Sequence, residues 1–67
     1  MKYGDKVRVY MNYNGDKDWY KAIYLSTNED NITEVFMQFP DGFKTNANVH
    51  RPDCISEGWD KPTKSFS

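Results

Sequence analysis

The sequence predicts a mostly β protein: a small antiparallel barrel of about five strands with a short C-terminal tail. Three observations carry this reading. Apolar and polar residues alternate over short runs, as in Val7, Val9 and Met11. Turn signals separate the runs, notably Asn14-Gly15 and Pro40-Asp41-Gly42. No long stretch with helical periodicity can be drawn. Closure into a barrel would remove the exposed edges that a lone sheet leaves open to aggregation.

The elements follow in order. Asp5 to Met11 alternates and reads as the first strand, and Asn12 to Asp18 is a turn cluster around the Asn-Gly pair, whose residues tolerate positive φ. Trp19 to Thr27 is rich in aromatic and branched residues and reads as the second strand. Tyr20, Ala22 and Tyr24 share one of its faces, and Trp19, Ile23 and Leu25 share the other. Both faces carry apolar groups, which predicts a central, bent strand. Asn28 to Asn31 is a polar loop, and Ile32 to Phe39 is the third strand. Phe43 to Val49 is the fourth, with Phe43, Thr45, Ala47 and Val49 on one face. His50 to Asp53 suggests a short helical turn, and Cys54 to Ser56 a short fifth strand. The barrel is expected over residues 1–58. A tail over 59–67 follows, with Trp59 packed on the barrel to cover an edge and the end frayed.

Composition narrows the function. With 67 residues the chain holds one domain and leaves little room for a supported active site, so no enzyme is expected. No run approaches the roughly 20 apolar residues that span a bilayer. The lone Cys54 excludes a disulfide scaffold, and the polar N-terminus lacks a signal-peptide core; together they predict a cytoplasmic protein. His50, Asp53 and Cys54 make a poor metal trio within one loop, so no metal or cofactor is expected. Cys54 reads instead as a small apolar residue near the closing strand. The carboxylates are scattered on turns, and Gly4, Gly15, Gly42 and Gly58 are isolated, so neither an acid–base pair nor a phosphate loop is present. Asn, Lys, Tyr, Phe, Ile and Met together supply 28 residues against two Arg, a usage that points to an AT-rich genome such as those of many bacteria and phages.

The order of short motifs resembles Tudor-type domains of the SH3-like barrel group. The chain reads Gly4-Asp5-Lys6-Val7-Arg8-Val9, then Asn14-Gly15-Asp16, then Trp19-Tyr20-Lys21-Ala22, then Val35 to Gly42. Arg51 to Ile55 would form the closing element. The similarity spans about residues 4 to 56. Tudor-type domains hold methylated lysine or arginine in a cage of aromatic rings by cation–π attraction. Carried over to this chain, the resemblance implies cage positions at Tyr13, Trp19 or Tyr20, Phe39 and Phe43, with Asp41 supplying a carboxylate at the rim. Pro40 departs from the pattern and puts the placement of Phe43 in question.

Each of these residues also has a plain structural reading. Tyr20 fits the core more readily than a cage, Phe39 and Phe43 fit either, and Trp19 could cover a barrel end. Tyr13 on its loop and Trp19 are the leading pair. The function expected is therefore a protein- or peptide-binding module. The alternative is a small phage or bacterial accessory protein that modulates a larger host protein through an aromatic surface or a strand edge. Single-stranded nucleic acid is a less favoured partner. Nine Lys and Arg against ten Asp and Glu give a net charge of −1, and binding would be weak unless folding segregates the charges.

Overall fold

The computed structural model describes residues 1–60. They form β1 (Lys6–Tyr13), β2 (Asp16–Thr27), β3 (Thr33–Gln38), β4 (Lys44–Val49) and β5 (Ile55–Glu57), with a 3₁₀ turn at Pro52–Cys54. All five strands lie in one antiparallel sheet in the order β4-β3-β2-β1-β5. The sheet is not closed into the barrel that the sequence suggests. β5 is three residues long and pairs with Val7–Val9 of β1, and β4 pairs with β3 alone, so the two edges do not meet. No helix among the described residues is long and apolar enough to cross a membrane.

The first hairpin is tighter than the broad turn cluster expected. Asn14 and Gly15 both take positive φ (54° and 86°), as a two-residue turn with the twist of its strands requires. Asn12 Oδ1 accepts a hydrogen bond from the Gly15 amide at 3.0 Å, and strand pairing therefore runs to Tyr13 and Asp16. At the second loop, Asn28 Oδ1 accepts from the amides of Asp30 and Ile32. At the third, the Gly42 amide donates to Phe39 O and the Phe39 amide to Phe43 O.

Alternation sorts the side chains between two faces. Val7 and Val9 of β1, Tyr20 and Ala22 of β2, Val35 and Met37 of β3, and Val49 of β4 form the core with Phe39. β2 is the central strand, as its two apolar faces suggest, and a bulge between Tyr24 and Ser26 shifts its register against β3. Val7, Ala22, Val35 and Met37 are completely buried. A single sheet reaches such burial by curling over its own core face. Accordingly β1 and β4, which are not neighbours in the sheet, line one cavity of about 250 Å³ through Val9, Met11, Ala47 and Val49, with Cys54 beneath. Cys54 is half-buried and packs against the core.

Candidate functional site

Two turns bring most of the candidate residues to one end of the sheet. Tyr13 ends β1 on the core side, Phe39 follows β3, and the Pro40–Gly42 turn carries Asp41 and Phe43. The Tyr13 and Phe39 rings stack at 3.7 Å between centroids and 5° between planes. Tyr20 meets both edge-on, at 5.9 Å and 5.3 Å. Phe43 lies nearly parallel to Tyr13 and Phe39, 6.5 Å and 6.2 Å away. It is 55% exposed, whereas Phe39 is 6% exposed. β4 starts one residue later than expected, at Lys44, but Phe43 still stands opposite Phe39, whose amide donates to Phe43 O at 3.0 Å. It therefore keeps to the side of Thr45, Ala47 and Val49, at the open end of the sheet where its ring is exposed.

Asp41 ties this end together. One of its oxygens accepts from the Phe43 amide at 3.0 Å, and the other accepts from the Tyr13 hydroxyl at 2.7 Å. The hydrogen bond from Tyr13 and then that from the Phe43 amide hold the Asp41 carboxyl below its usual range. The same bond to Asp41 raises the Tyr13 hydroxyl above the usual phenol value. Tyr20 is also raised, first by burial and then by the carboxylates of Asp16 and Asp18, and its hydroxyl donates to Asp16 O at 2.9 Å. The face-to-face contact of Tyr13 and Phe39 leaves no gap for a cation between them. What this end offers a ligand is the exposed ring of Phe43 beside a carboxylate.

Trp19 is not part of this group. It stands on the opposite, outer face of the sheet, next to Tyr10 at 5.5 Å between ring centroids. The Arg8 guanidinium lies over its ring at 5.7 Å. Arg8 is 8% exposed and donates to Glu57 O, Gly58 O and Ser56 Oγ, at 2.9, 3.0 and 2.9 Å. Trp59 packs on this outer face, with its indole N–H donating to Val7 O at 2.8 Å and to Ala22 O at 3.1 Å. It thus covers the sheet face over β1 and β2, while the Gly58 amide donates to Lys6 O at the β1 edge. The remainder of the expected tail, 61–67, lies outside the described residues.

Sequence reasoning overlooked Tyr10 and the structural lock formed by Arg8. The signal for Tyr10 was present: a two-residue turn at 14–15 pairs 13 with 16 and, counting outward, 10 with 19 and 8 with 21. Trp19 therefore had to share a face with Tyr10 and not with Tyr13. The lock on Arg8 had no local signal, because its partners lie 48 to 50 residues away. Among the described residues, no group of three or more His, Cys, Asp and Glu is assembled that could hold a metal ion. No protein-family model matches the chain, and neither the curated proteins nor the solved structures contain a significant match to it.

Proposed function

We propose that the protein is a non-enzymatic binding module that receives a cationic side chain of a protein or peptide on the Phe43 ring beside Asp41. The observation that carries this reading is the flat group of near-parallel rings that ends in an exposed Phe43, with the Asp41 carboxylate fixed at its rim. A cation over an exposed ring gains about 0.5–1 kcal/mol, less than one enclosed and desolvated by several rings. The ligand is thus laid on a patch and not enclosed. A 3₁₀ turn before a closing strand beside β1 supports the likeness to SH3-like barrels, with the seam between β4 and β5 left unpaired.

The test is calorimetric titration with a short peptide carrying trimethyl-lysine and with the same peptide carrying its uncharged tert-butyl isostere. The charged peptide should bind about two- to fivefold more tightly, and Phe43→Ser should abolish the difference. Equal affinities, or no binding at millimolar peptide, would overturn the proposal.

A second reading, an accessory protein that docks on a larger host protein by strand addition, is favoured by one observation. β4 has a partner on one side only, and its free edge borders the apolar cavity. Addition of a partner strand would slow hydrogen exchange of β4 amides, and unchanged exchange in the complex would exclude it.

A further inference from the structure

The outer face of the sheet collects the positive charge of the chain. Cross-strand register puts Lys6, Arg8, Lys17, Lys21 and Lys44 on this side, since each is paired with a residue facing away from the core and its strand neighbours point the other way. Lys61 and Lys64 follow Trp59 in sequence, with no acidic residue after Asp60. Of the ten Asp and Glu, only Glu34 and Asp60 belong to this face; the others sit on turns, at termini or on the core side. A chain of net charge −1 therefore presents a positive face and a negative remainder. This is the segregation without which the sequence argued against nucleic acid.

Aromatic rings are interleaved with these cations. Lys6 Nζ and Lys21 Nζ lie 5.2 Å and 5.3 Å from the Trp59 ring centre. Tyr10, 42% exposed, leans on Trp19 two residue pairs beyond Arg8 and Lys21, the next pair on this face. Arg8 is held by backbone carbonyls and by Ser56, so it supports the platform and does not read a ligand. A sheet face with rings between lysines suits unpaired bases, which stack while their phosphates meet the ammonium groups. It does not suit a duplex, whose major groove takes a projecting helix or ribbon.

From this we infer that the outer face binds single-stranded nucleic acid, with Tyr10 and Trp19 as the stacking platform and Lys6, Lys17 and Lys44 as phosphate contacts. The face is opposite the Asp41–Phe43 end, so the two sites are separable by mutation.

The experiment is fluorescence anisotropy of a labelled twelve-nucleotide oligo-dT with the full chain, titrated over a range of salt and competed with unlabelled heparin and with a duplex of equal length. The triple variant Lys6→Gln, Lys17→Gln, Lys44→Gln should weaken binding at low salt. It should also reduce the slope of log affinity against log salt by about 2, near 0.7 for each phosphate that is no longer neutralised. Tyr10→Ala should cost about fivefold or more with the salt slope kept. Lys2→Gln with Arg51→Gln, which removes the same kind of charge elsewhere, should change neither. No anisotropy change at tens of micromolar protein would overturn the inference. So would heparin or the duplex competing as well as unlabelled oligo-dT, because charge alone would then account for binding.

Discussion

Arg8 and Asp41 each show how one side chain joins distant parts of this chain. The Arg8 fork satisfies two carbonyls and a hydroxyl at the β5 corner, and no buried side-chain polar atom among the described residues lacks a partner. Arg8→Met keeps the stem and removes the fork. Leaving buried acceptors unmatched costs about 1–3 kcal/mol, and each kcal/mol moves the Tm of so small a domain by about 4–8 °C. Thermal denaturation should show that fall, and Arg8→Lys should not restore it, because a lysine ammonium lacks the planar fork. A Tm within about 2 °C of the wild type would contradict the lock. At Asp41 the prediction concerns pH. The folded-state value is lowered, so its contribution is present above the ordinary carboxylate range and is lost as pH falls through that lowered value. Tyr13 is raised, so its contribution is complete below the ordinary phenol value and is lost as pH rises through the raised one. The link therefore holds across the whole neutral range. Asp41→Asn should bring the Tyr13 titration, followed by its ring resonances, back toward about 10. An unchanged Tyr13 midpoint would refute the link.

At the scale of elements, local chemistry made the strands legible and non-local contacts set the rest. Asn14-Gly15 marked the first turn because that backbone needs two positive φ angles. The alternation of Val7, Val9 and Met11 correctly marked the core side of β1. At Phe43 alternation gave the side of the sheet but not the exposure, because the residue lies at the open end, opposite Phe39. Gly42 at φ 93° turns the chain there, and the Asp41 carboxylate holds the Phe43 amide. Closure was not legible, since pairing of the two edges depends on where a three-residue strand finds a partner. Of the candidate site, Tyr13, Tyr20, Phe39, Asp41 and Phe43 stand together at one end of the sheet, while strand parity removes Trp19. Gly58 supplies the element-scale prediction. Its φ is 87°, and a Cβ there would sit 2.8 Å from Asp60 Oδ1, at the bend that brings Trp59 over the sheet. Gly58→Ala should destabilise by more than about 1 kcal/mol, as alanine does where φ is positive, measured by urea denaturation. A neutral result would mean that the bend is not required.

Over the whole molecule, the C-terminal corner fastens a sheet that does not close on itself. Trp59 bonds to β1 and β2 together, the Gly58 amide bonds to Lys6 O, and Arg8 bonds back to Glu57 and Gly58. Ending the chain after Ser56 removes all of these at once. The expected result is a fall in Tm of at least about 4–8 °C, the equivalent of 1 kcal/mol or more, and an unchanged Tm would show that the corner carries no stability. The two sides differ in chemistry, with cations and indoles on the outer face and the carboxylate-rimmed rings at the far end of the core side. The central claim is that this far end is a ligand patch. The most direct measurement is a two-dimensional NMR titration of the full chain with a trimethyl-lysine peptide, monitoring backbone amides, aromatic rings and indole N–H groups. Saturable shifts are expected at Tyr13, Phe39, Asp41 and Phe43, with the Trp19 and Trp59 indoles unmoved. Shifts confined to Trp19 and Trp59, or none at millimolar peptide, would contradict it.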